Sequence, residues 1–240
     1  IYNNNLVTNI DYLNNMNNII DSLFNIGIRE LNDIVTRYKF IIIHIPKKLS
    51  SDFKNTDKYI TKLSLLLNLS KDLEHLLDKK IYVNIHINNE NIHIYETNTK
   101  LFKLIYSNIN HIIAEFCNFV NLDKQGRINF INKIITLFNK KLLICIDTKH
   151  TFINLNKNEI NDIISDLYKN KNIIDSLFCI HLNDFKNSSI FNLFTETELK
   201  ELYLKLKGKF RYPITIILER NYNNRVLGME LKKIKGIFNL

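Results

Sequence analysis

The feature that most constrains this chain is a recurrence: short apolar runs stop at or near a histidine or a carboxylate, and each leads toward a segment with helical spacing. The runs are FIIIH at His44, IYVNIHI at His86, HIIAEF at Glu115, LLICID at Asp147, SLFCIHL at His181 and PITIILE at Glu219. A short continuous apolar run suits a strand covered on both faces. Between these runs, residues 57–77, 100–109, 123–139, 158–168, 195–207 and 225–238 place Leu, Ile and Phe at helical intervals and predict helices. Upstream, 6–10 predicts a short strand, and 11–24 and 28–37 predict two helices. The polar stretch 88–98 predicts a loop, or an extra edge strand where NIHIYE alternates. Strands and helices that alternate every roughly 30 to 40 residues are the pattern of a parallel sheet built from βα units, most economically a barrel. The expectation is therefore one α/β domain over residues 1–240, a (β/α)8 TIM barrel.

Composition narrows the function classes. At 240 residues and 45% hydrophobic, the chain can bury a full core. No stretch is long and apolar enough to cross a bilayer, so no membrane role is expected. Cys117, Cys145 and Cys179 lie in or beside apolar runs without CxxC spacing. Buried reduced thiols are expected, which fits an intracellular reducing compartment such as a nucleus, an organelle matrix, or a viral factory or virion. The formal net charge of +9 favours polyanionic partners.

A barrel converges the C-terminal ends of its strands on one face. His44, His86, Glu115, Asp147, His181 and Glu219 would then meet there, with His150 three positions beyond Asp147. So many carboxylates and imidazoles gathered together are costly without a cation to neutralise them. The mix of oxygen and nitrogen donors suits Zn²⁺ or Mn²⁺. For DTKH alone the plainer alternative stays open: Asp147 caps a helix and His150 is a surface histidine.

Several pieces are more specific than this pattern: CIDTKH at 145–150, IHLND at 180–184 and ILE at 217–219, extended as ILERN to 221, with IIIHIP, VNIHI and IIAEF around His44, His86 and Glu115. Together they resemble endonuclease IV, the zinc-dependent apurinic/apyrimidinic endonucleases among the xylose-isomerase-like TIM barrels. The ILERN form is closest to large-DNA-virus members. The resemblance runs from about Leu6 to the C-terminus and implies that the first βα unit is missing or degenerate. It implies that His44, His86 and Glu115 bind one zinc, and that Glu115 bridges to a second held by Asp147, His181 and Glu219. Glu96 in IYET lies too far before Asp147 to take the place of Glu115. His150 corresponds to a ligand of a third zinc. The Asp-x-His pair expected to complete that site is absent from DFKNSSIFNLF, so two zinc ions are expected rather than three. The activity implied is phosphodiester hydrolysis 5′ to abasic sites in DNA, with Glu115 and Glu219 at the reacting centre, as a step of base excision repair. Two alternatives accompany it. One is a non-catalytic relic that binds nucleic acid or serves as a structural subunit of a larger assembly. The other is a sugar epimerase or isomerase of the same superfamily using one divalent metal.

Overall fold

The computed structural model describes residues 40–45, 55–117, 119, 121–182, 189–206, 215–218 and 224–238. The strand expected at 6–10, the helices expected at 11–24 and 28–37, Asn183 and Asp184 of IHLND, and Glu219 lie outside the described residues.

Among the described residues, strands and helices alternate. The order is β1 (Phe40–His44), α1 (Thr56–Leu77), β2 (Lys80–Asn88), α2 (Ile92–Thr97), α3 (Thr99–Ser107), β3 (Ile112–Cys117), α4 (Lys124–Leu137) and β4 (Leu143–Asp147). It continues with α5 (Thr148–Phe152), α6 (Lys157–Lys169), α7 (Lys171–Ser176), β5 (Leu177–Leu182), α8 (Glu196–Leu206), β6 (Thr215–Leu218) and α9 (Asn224–Phe238). The strands follow one another in the sheet in sequence order. β1 pairs with β2, β4 with β5 and β5 with β6, all in parallel. The protein is thus an α/β chain built on a parallel sheet, as its alternating runs predict. The described residues of Ile1–His86 and Asn91–Ile113 form one compact unit and those of Ile87–Glu90 and Ala114–Leu240 a second. β2 and β3 each contribute to both.

In the first unit the period-two alternation of a strand sorts the side chains. Ile81, Val83 and Ile85 of β2 are almost wholly buried, and Ile81 joins Leu77, Leu73, Ile41 and Ile43 in one apolar cluster. Tyr82, Asn84 and His86 take the opposite face of β2, as Ile42 and His44 do on β1. Helix α1 begins where the Asn55 side chain accepts from Lys58 N–H at 3.1 Å, the usual satisfaction of an orphan amide at a helix start. Near its end Glu74 reaches the start of β2, accepting from Ile81 N–H at 3.0 Å and from Lys80 Nζ at 3.1 Å. The stretch 88–98 departs from both expectations. Residues Ile92–Thr97 form α2, and Ile92 and Tyr95, three apart, are both buried. The alternation read as an edge strand is a short amphipathic turn, because one helical turn and two strand steps both put apolar residues at nearby positions.

In the second unit Asp123 caps α4 through a 2.7 Å bond from Gly126 N–H. Asn156 and Glu159 close a reciprocal capping box on α6. Helix α4 also carries a buried cation. Arg127 is 1% exposed, and it donates through Nε to Leu122 O at 2.9 Å and through Nη1 to Thr151 O at 2.7 Å. Its guanidinium thereby ties the entrance of α4 to the end of α5. Burial lowers its pKa, yet the ordinary value is so far above neutrality that the group stays charged.

Two stability predictions follow from these anchors. Burial pushes the Glu74 carboxyl up, but the hydrogen bonds from Ile81 and Lys80, with the charges of Lys80 and His111, outweigh it and hold the carboxyl below its ordinary value. A depressed carboxylate contributes stability that is present at neutral pH and lost as pH falls through its folded-state pKa. Glu74→Gln should therefore flatten the acid limb of a stability-versus-pH profile; an unchanged limb would remove Glu74 from the account. Arg127→Met keeps bulk but strands two carbonyls, and should lower unfolding stability by about 1–3 kcal/mol. Urea denaturation tests it, and an unmoved midpoint would contradict the tie.

Candidate metal centre

The site begins at the junction of β4 and α5. LLICID is apolar enough to form a buried strand, and Asp147 stops it by capping the next helix. Its Oδ1 accepts from His150 N–H at 2.8 Å. Its Oδ2 lies 3.8 Å from His181 Nδ1. The capping half of the plainer DTKH reading holds, and the second carboxylate oxygen faces His181. Capping also fixes the rotation of the carboxylate, which is what a preorganised ligand needs. Asp147 is fully buried and His150 half-buried. Thr148 Oγ1 donates to His181 O at 3.1 Å, tying the turn to the neighbouring strand.

Register decides what Asp147 meets. Ile144 pairs with Leu177, but the next pair is Cys145 with Cys179, so β5 advances two residues against one of β4. Past that irregularity, Cys145 stands opposite Cys179 and Asp147 opposite His181. A one-residue slip sends side chains to the other face of a sheet. The extra residue in β5 thus puts the ligand types of both strands on one face, in two rows.

Glu115 completes the buried set. It lies on β3 with two strand residues still to follow it, and is 2% exposed. Its Oε2 is 3.4 Å from His181 Nδ1, and His181 is fully buried. Glu115, Asp147 and His150 each offer a ligand atom within 4.8 Å of the others. Two carboxylates and one imidazole, those of Glu115, Asp147 and His181, are out of reach of bulk water and costly to desolvate, and a divalent cation could compensate them. These donors suit Zn²⁺ or Mn²⁺.

In the first unit, His44 and His86 meet with ring centroids 5.8 Å apart. Asn84, fully buried, puts its side-chain nitrogen 3.0 Å from His44 Nε2. The same nitrogen lies 3.4 Å from His44 Nδ1. Tyr95 Oη donates to His86 O at 3.4 Å. Asn84 was not singled out by its sequence, although its position two before His86 places it on the same strand face.

The thiols were read only as core residues. All three are free, and Cys145 and Cys179 are buried while Cys117 is partly so. Cys145, Cys179 and His181 bring one ligand atom each to within 4.8 Å of the others. Burial drives the Cys145 thiol up. Cys179 is held below an ordinary thiol, first by its hydrogen bond with Cys145 and, against the effect of burial, by His181. Burial, with the charges of Glu115, Asp147 and Glu90, pushes Cys117 up to about 12. The signal that could have found the pair is a shared offset: each cysteine lies two positions before a ligand-type residue, Asp147 or His181.

Of the residues expected at the site, the second unit brings together Glu115, Asp147, His150 and His181, the first brings together His44 and His86, and Glu219 lies outside the described residues. No family model matches this chain, and neither the curated proteins nor the solved structures hold a match to it.

Proposed function

We propose that the chain is a metal-dependent phosphodiester hydrolase of the endonuclease IV kind, a xylose-isomerase-like TIM barrel that cuts DNA 5′ to abasic sites. The observation that carries the reading is the clustering of Glu115, Asp147 and His181, all buried, with the half-buried His150. Sequential parallel strands with helices between them support the barrel, since a doubly wound sheet would reverse its strand order. In this reading Glu115, Asp147, His181 and Glu219 would hold one Zn²⁺, and His44 and His86 would serve another. Bound there, Zn²⁺ supplies a Lewis acid for the phosphate and lowers the pKa of water.

The chain's own residues do the rest. Glu115, buried on β3, would orient the attacking water and take up its proton. Asp147 keeps its outward oxygen in place through its cap. Surface lysines, in a chain of net charge +9, meet the flanking phosphates. A missing base makes extrusion of the abasic sugar from the duplex cheaper, which favours such substrates over intact DNA.

One observation favours a second reading. The His44 ring is engaged by Asn84, as it could be in a sugar epimerase or isomerase that uses one metal and needs no ligand from β1. Mn²⁺ content, to which thiols do not add, separates the two: about two ions per chain for the nuclease, one for the epimerase.

Glu115→Gln should cut abasic-duplex cleavage by about a thousandfold or more, the scale of losing a group that acts directly on the reacting centre. Chelation should abolish the activity and added Zn²⁺ or Mn²⁺ restore it. Cleavage that survives both changes would refute the assignment. Binding to abasic duplex should weaken steeply as salt rises, because it rests on phosphate contacts. A protein that binds DNA this way, retains metal and cuts nothing is the relic rather than the nuclease. One that binds no DNA even at low salt is not the nuclease.

A further inference from the structure

We propose that Cys145, Cys179 and His181 form a second cation site, for a soft ion such as Zn²⁺, one row along the sheet from the Asp147–His181 pair. The inference does not depend on the hydrolase reading and needs no DNA.

Its basis is register. Cys145 and Asp147 lie two apart on β4, Cys179 and His181 two apart on β5, and the pairs stand opposite each other across parallel strands. Residues two apart share a face. One face therefore presents a thiol row and, beside it, a carboxylate–imidazole row. The ligand atoms of the two thiols and the imidazole lie within 4.8 Å of one another. In a tetrahedral site with bonds of about 2.3 Å to sulfur and about 2.0–2.1 Å to nitrogen, donors stand about 3.5 to 3.8 Å apart. Closing that gap takes side-chain adjustments of about an ångström or less.

Two buried cysteines alone would be ordinary core packing. What distinguishes these is the buried imidazole in the same cluster, which makes a Cys₂His donor set of the kind that holds Zn²⁺. Thiolate donors select soft ions, whereas the carboxylates of the next row suit harder ones. His181 belongs to both rows, so an ion in the thiol row draws on a ligand of the carboxylate row. Binding is balanced by proton release: each thiol loses its proton to solvent as its sulfur bonds the cation, two protons for each divalent ion. The fourth position falls to water or to a carboxylate from the next row.

The test uses the full chain, reduced, stripped of metal and given Mn²⁺, then titrated with Cd²⁺ and, separately, refolded in its presence because the site is buried. With the carboxylate–imidazole donors already filled by Mn²⁺, thiolate-to-cadmium charge-transfer absorption should rise to saturation at one Cd²⁺ per chain, with about two protons released per Cd²⁺. Mn²⁺ should produce no such band. Cys117→Ser should keep the band, and Cys145→Ser combined with Cys179→Ser should lose it while circular dichroism stays unchanged. Absence of the band in the unaltered chain under both regimes overturns the site. So does a band that survives the double substitution or disappears with Cys117→Ser. Loss of abasic-site cleavage or DNA binding leaves these readouts untouched, so failure of the hydrolase reading and failure of this one are separable.

Discussion

The candidate site depends on the Asp147 carboxylate facing two ways. One oxygen ends β4 by accepting from His150 N–H, and the other turns toward His181. Without the first contact α5 would lack the acceptor for its opening turn, and His150 would lose its fixed place beside Glu115 and Asp147. Helix capping is usually a local matter worth about 1 kcal/mol. Here it also positions a buried charge.

Around that turn the second unit is held by contacts to backbone carbonyls. Arg127 grips the carbonyl of Thr151 at the far end of α5 and that of Leu122 before α4. Thr148 reaches the backbone of His181. A five-residue helix has little stability of its own, and these bonds supply from outside what its length cannot. The result is a short turn rigid enough to present two side chains, Asp147 and His150, from adjoining positions.

Burial sets the electrostatic character. Glu115, Asp147 and His181 have almost no exposed surface. In such surroundings charge is expensive unless a partner of opposite sign is close. The same burial acts on the thiols next to them, raising Cys145 and Cys117 while hydrogen bonding favours the thiolate of Cys179. The neighbouring rows thus differ in kind, one of oxygen and nitrogen, the other mainly of sulfur. His181 stands in both.

Much of this was legible in the chain. Apolar runs such as LLICID and IYVNIHI determine strands, because a short apolar stretch bounded by polar residues has few other ways to be buried. The Leu and Ile spacing over 57–77 determines a helix for the same reason. Asp147, His150 and His181 announce themselves as candidate ligands by type and by place at a strand end. The helix at Ile92–Thr97 was not legible, since six residues fit either period. Nor was the pairing of Cys145 with Cys179 and of Asp147 with His181. That pairing turns on one extra residue in β5, and whether a strand takes such a residue depends on how both its faces pack against elements distant in sequence. Residue types and their order decided which chemistry this chain can carry. Only the tertiary structure decided which of those side chains meet, because register is a property of two strands together and of neither alone.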